Sequence, residues 1–224
     1  MKKTKSKKPK NDPARVRRAW VRFSAALVAA LALLAATEFG IVKLARGAVP
    51  IDQPEHVTAG DYVQQDVRRI VGNFAIGYAG DEAKEVYAVV PTERGLYVFC
   101  FPERWFVSEL DVCAQTEIWL ADHSAPLDRH FVVSGTAQTM SEDLRVRTQD
   151  WFARNAQLLA QNGLIPAGAD MDSCVADCVI MVDQVGGVSY GVVMLLTLAA
   201  FVLLGYALAV LLRIRLCGYP EKKK

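Results

Sequence analysis

Two long apolar runs, Phe23–Val42 and Val188–Leu212, bound a middle segment in which short apolar runs alternate with polar positions. A membrane-spanning helix needs about 20 predominantly apolar residues, because each adds about 1.5 Å across a hydrocarbon core of about 30 Å. The first run supplies 20 residues, interrupted only by Ser24, Thr37, Glu38 and Gly40. The second supplies 25 without a charge. Both are read as transmembrane α-helices, over 23–42 and 188–212. A cleaved signal peptide is the alternative for the first, with Ala45-Arg46-Gly47 as a small-x-small cleavage site. The 22-residue basic start and the length of the apolar run favour an uncleaved signal-anchor.

Between the runs the periodicity changes from helical to alternating and back. Tyr62–Phe74 is rich in β-branched and aromatic residues and is predicted as one strand. Glu85–Val90 and Gly95–Phe101 are two further strands, joined as a hairpin by Pro91-Thr92-Glu93-Arg94-Gly95. Pro102 opens a helical pattern in which Val107, Leu110, Ala114, Ile118 and Ala121 recur, with Glu109, Asp111 and Glu117 interleaved. Arg129–Ala137 reads as a strand. Ser141 caps the next helix, whose apolar face is Leu144, Trp151, Phe152, Leu158 and Leu159 and whose end is Asn162-Gly163. Cys178–Val182 is the last strand, followed by Gly186-Gly187 and the second apolar run. The order β-β-β-α-β-α-β predicts one α+β domain over 47–185 with a mainly antiparallel sheet.

Charge orients this arrangement. Residues 1–22 carry ten Lys and Arg, the tail 213–224 carries five, and Gly47–Gln184 carries nine against 21 acidic residues, a balance of −12. Positive flanks stay cytoplasmic, so both tails are expected inside and 47–185 outside, an extracytoplasmic domain that suits a bacterial plasma membrane. The lysine-rich start lies beside a spanning helix, where anionic lipid accounts for it at about 1 kcal/mol per basic residue. The lipid bilayer is therefore the expected partner of the tails, and nucleic acid is not.

Four of the five cysteines, Cys100, Cys113, Cys174 and Cys178, fall in the outer segment, an even count compatible with two disulfides in an oxidising compartment. Cys174-x-x-x-Cys178 has one residue too many for the usual redox pair, and no second pair completes a zinc set. Cys217 lies just past the second run. Asp122-His123-Ser124 and His130 with Ser134 contain the residue types of a hydrolase triad, but a triad is a geometry, and no nucleophile elbow, phosphate loop or metalloprotease helix accompanies them. No cofactor is implied. Glu38 is an intramembrane carboxylate near the outer end of the first run, within reach of Lys43. Ala32-x-x-x-Ala36-x-x-x-Gly40 and Gly187-x-x-x-Gly191 offer small-residue faces for helix packing.

A full domain tethered at both ends without a catalytic constellation points to a two-pass anchored module. Its outer domain is expected to bind or scaffold another membrane or extracytoplasmic protein, or a second copy. The competing readings are an extracytoplasmic enzyme, thiol-based or hydrolytic, and an accessory subunit of a transporter or secretion complex.

Overall fold

A computed structural model describes residues 12–37, 40–52 and 56–217. They form two compact units, one made of the residues through Ile41 together with those from Gly191 onward, the other Val42–Tyr190.

The first unit holds two helices long and apolar enough to cross a membrane, α1 (Pro13–Ala36) and a second spanning Tyr190–Leu216. Asp12 caps α1 by accepting the Ala14 N–H at 3.0 Å, and Pro13 occupies the first turn, where its missing N–H costs nothing. The helix therefore begins ten residues before the apolar run and carries Arg15, Arg17, Arg18 and Arg22 on its first turns. Its buried positions are Ala19, Ala26 and Ala30. Of the small residues expected at a packing face, Ala32, Ala36 and Gly191 are exposed, whereas Gly40 is buried. Gly187 is not helical at all but turns a short hairpin at φ +78°. The buried alanines of α1 lie on a different stripe, which leaves Ala32 and Ala36 exposed on the helix surface. Glu38 lies outside the described residues.

The second unit is a mixed α/β domain. After α2 (Gly40–Arg46) come β1 (Val49–Pro50), β2 (Tyr62–Val67), β3 (Gly72–Ala79), β4 (Glu82–Thr92), β5 (Gly95–Pro102), α3 (Phe106–Ala121), β6 (Phe131–Thr139), α4 (Glu142–Gln161), α5 (Met171–Cys174) and β7 (Val175–Val182). Strands β8 (Gln184–Val185) and β9 (Val188–Ser189) form a small hairpin before α6 (Tyr190–Leu212). The main sheet has seven strands in the order β1-β2-β6-β7-β5-β4-β3. It is mostly antiparallel; only β1 with β2 and β5 with β7 run parallel. One face packs the core of Phe99, Phe101, Val112, Ile180 and Val182. The opposite face packs Val98, Leu144, Trp151, Phe152 and Leu159. Helix α3 covers the first face and α4 the second.

The predicted strand Tyr62–Phe74 is two strands, β2 and β3, in opposite halves of the sheet. Between them Arg68, Arg69, Ile70 and Val71 leave the ladder and cross one face, because two arginines cannot alternate into a core. Helix α4 follows its sequence pattern: Ser141 Oγ accepts the Leu144 N–H at 3.3 Å, and Leu144, Trp151, Phe152 and Leu159 are buried, with Leu158 exposed. Asp183 holds the end of β7 to the start of α3. It adopts φ 65°, forms an ion pair with Arg104 and accepts Trp105 Nε1–H at 2.7 Å.

Candidate functional site

Helix α3 packs Phe106, Val112 and Cys113 on the core and turns a second apolar stripe outward, where an amphipathic helix is ordinarily polar. Val107, Leu110 and Ile118 are 76%, 59% and 62% exposed, and Ala114 and Ala121 lie on the same exposed stripe. The buried side is Glu109, Val112 and Thr116. Polar residues join that inner side because the backbone of the crossover Arg68–Val71 leaves the ladder and needs hydrogen-bond partners. Thr116 Oγ1 accepts the Ile70 N–H at 3.0 Å, and Gln115 Nε2 donates to the Arg68 and Arg129 carbonyls at 3.3 and 3.0 Å. Gln115 Oε1 in turn accepts the Arg129 N–H at 2.7 Å. Polar groups are thus spent inward, and the apolar stripe, about 21 Å long at 1.5 Å per residue, is turned out.

The helix itself carries acidic residues and no basic ones. Phe106–Ala121 contains Glu109, Asp111 and Glu117 but no Lys or Arg. Asp111 pairs with Arg129 at 2.7 Å, and Glu117 is exposed.

Glu109 is buried at 1% exposure, and its Oε1 has no hydrogen-bond partner among the described residues. Burial pushes its carboxyl above the ordinary value of 4.5, an effect the Asn73 side chain only partly offsets. A raised value in the folded state means that stability from the protonated form is fully present below the unfolded value and is lost as pH rises through the folded one. Glu109→Gln is therefore expected to raise stability at pH 7 by about 1 kcal/mol, the scale of one buried unsatisfied group. Denaturation of the two proteins from pH 7 to pH 4 checks this: the advantage of the variant should shrink as pH falls.

The cysteines correct the disulfide expectation. Cys100, Cys113, Cys174 and Cys178 are all free. Cys113 and Cys178 pack with the core on the α3 side, Cys100 and Cys174 with that on the α4 side. Cys174 ends α5 while Cys178 lies within β7, so the sheet separates the two thiols. Cys100 lies four residues beyond Leu96, which pairs with Val175, so roughly 13 Å of strand separates it from Cys174. Burial, reinforced by Glu85, pushes the Cys100 thiol up to about 12, and burial pushes Cys113 and Cys178 up to about 11. Such thiols are protonated and unreactive at neutral pH.

The hydrolase-type residues are not brought together. Ser124 Oγ bonds Asp122 at 2.8 Å in a local turn, and His123 Nε2 meets Asn162 Oδ1 at 2.7 Å. His130 Nδ1 meets Asp66 Oδ1 at 2.7 Å, whereas Ser134 Oγ bonds the Tyr62 hydroxyl at 3.0 Å. Neither serine is hydrogen-bonded to a histidine. Among the described residues no group of three or more His, Cys, Asp or Glu side chains is placed to hold a metal ion.

Two clefts, of about 560 and 540 Å³, lie beside the β4–β5 turn and share Arg94, Ser173 and Cys174. The larger also takes in His56, Tyr97, Arg145 and Asp177, the smaller Arg69, Trp119 and Asn162. Arg69 and Trp119 carried no motif by which spacing alone would single them out.

A family model described as Domain of unknown function (DUF8577) matches residues 14–213, from the first turn of α1 through α6. The chain belongs to the DUF8577 family. The match takes in both apolar helices and the whole sheet domain. No curated protein and no solved structure matches this DUF8577 chain.

Proposed function

We propose that this DUF8577 protein is a non-enzymatic two-pass membrane anchor whose sheet domain, on the extracytoplasmic side, docks a partner protein through the exposed stripe of α3. The outward-facing stripe of Val107, Leu110, Ala114, Ile118 and Ala121 carries the reading. Three large apolar side chains lined along one exposed helix face are what a helix-in-groove or helix-pair contact uses. The occupant is a partner segment with apolar residues flanked by Lys or Arg. Charge complementarity selects it: Glu117 is exposed on α3, the helix bears no Lys or Arg, and the outer segment as a whole carries −12. A second copy would bring the same acidic helix and the same net charge against itself, which opposes self-docking. Lysine- and arginine-rich tails at both ends support the placement of the domain outside.

Location is tested by treating intact cells with a membrane-impermeant maleimide. Cys174 is only partly buried, whereas Cys100 and Cys178 are buried. Cys174 is expected to label in intact cells, with Cys100 and Cys178 labelling only after denaturation. Labelling of Cys174 solely after the cells are opened would place the domain inside.

A further inference from the structure

The smaller cleft beside the β4–β5 turn contains an unusual arginine. Arg69 leaves the sheet on the β2–β3 crossover, is half-buried, and sets its guanidinium over the Trp119 indole, 4.9 Å from the ring centroid. Every other arginine between Tyr62 and Val185 donates to a carboxylate or a backbone carbonyl. Arg69 has neither kind of partner among the described residues. A cation–π contact uses the face of the guanidinium and leaves its five N–H donors, which lie in its plane, without acceptors. Those donors stand at the wall of the cleft, where an oxyanion can take them at less cost in desolvation than at a guanidinium already paired with a carboxylate.

The surroundings are prepared for one. Arg94 adds a second guanidinium to the lining, its Nε–H donating to the Asp52 carbonyl at 2.8 Å. Thr92, Ser173 and Asn162 add neutral polar groups. Trp119 is held from the other end of the network, because its ring stacks on His123 at 4.5 Å and His123 is fixed by Asn162. The indole is thus a rigid wall next to the charge. Glu93 also lines the cleft and is exposed, yet it forms no ion pair with Arg69. At about 540 Å³ the space suits a small molecule, since ligand pockets run from roughly 300 to 1,000 Å³.

We infer that this cleft binds a small organic anion, its carboxylate or phosphate group taken by the Arg69 fork and its body lying against Trp119. A planar two-toothed donor matches both oxyanions, which is why an arginine rather than a lysine fits here. The inference is independent of partner docking at α3, because its residues do not belong to the exposed stripe.

The test titrates the full-length protein in nanodiscs with benzoate and, separately, with inorganic phosphate, following the indole N–H resonance of Trp119, which is assigned with Trp119→Phe. Saturable shifts with at least one probe are expected. Arg69→Gln should abolish them and Arg69→Lys should weaken binding at least tenfold, both with an unchanged thermal midpoint. Response to benzoate alone identifies a carboxylate with a flat body, and response to phosphate identifies an oxyanion site that needs no ring. Absence of saturation with both probes, or equal binding by a folded Arg69→Gln protein, would overturn the site. If Arg69→Gln fails to fold, Arg69→Lys decides the matter by the same tenfold criterion.

Discussion

Charging the stripe of α3 by Leu110→Asp together with Ile118→Asp is expected to reduce partner capture roughly 100-fold or more, with the fold intact. Both side chains are more than half exposed, at 59% and 62%, so their removal leaves no cavity and strands no core neighbour. The stability cost is limited to the lower helix propensity of aspartate, a few tenths of a kcal/mol each. Binding is affected very differently. Central apolar side chains of an interface typically cost about 2 kcal/mol or more each on removal, and 1.4 kcal/mol is a factor of ten. A buried aspartate then adds desolvation. Leu158→Asp on α4, also at an exposed leucine, is the control and should leave capture unchanged. Capture measured against thermal midpoint separates the outcomes: equal loss in the α4 variant, or no loss in the α3 variant, would remove α3 from the contact.

Gly135→Ala is expected to be the most damaging single methyl in the sheet domain. Gly135 lies on β6 opposite Val182 of β7, in the middle of the sheet. A Cβ there would fall 2.8 Å from the Met181 carbonyl carbon and 3.0 Å from the Val182 Cα. The obstacles are backbone atoms of a hydrogen-bonded strand, so no rotamer change relieves them. Overpacking of this kind costs about 3 kcal/mol, and at this domain size that lowers the thermal midpoint by about 10 °C. Gly191→Ala, whose methyl meets nothing within 4 Å, should be close to neutral by comparison. Parallel thermal melts would check the pair, and a Gly135→Ala protein as stable as the parent would contradict the strand pairing.

Much of the domain was legible in the amino-acid order because local chemistry decided it. The β4–β5 hairpin follows from its turn residues, α4 from the Ser141 cap and its apolar face, and the apolar helices from length alone. The errors arose where long-range pairing decides. Tyr62–Phe74 has strand composition throughout, and only the topology reveals that Arg68-Arg69 breaks it into strands in opposite halves of the sheet. The stripe of α3 was visible as a pattern, but Thr116 and Gln115 turn inward to hold the crossover, which spacing does not encode. Counting cysteines suggested pairs, yet Cys100 and Cys178 sit on opposite faces of the sheet while Cys113 and Cys174 come from helices. The clefts were invisible for the same reason, since Arg69, Arg94, Trp119 and Asn162 come from four well-separated parts of the chain.

The most direct measurement places a photo-reactive amino acid at Ile118 in the full-length protein, irradiates intact cells, and sequences the cross-linked peptide by mass spectrometry. The expected product is an adduct with one other protein through an apolar segment bearing Lys or Arg, which is lost when Leu110 is changed to aspartate and weakened as salt is raised. An adduct only with lipid or with a second copy of this chain, or no adduct at all, would contradict docking of a basic-flanked partner on α3.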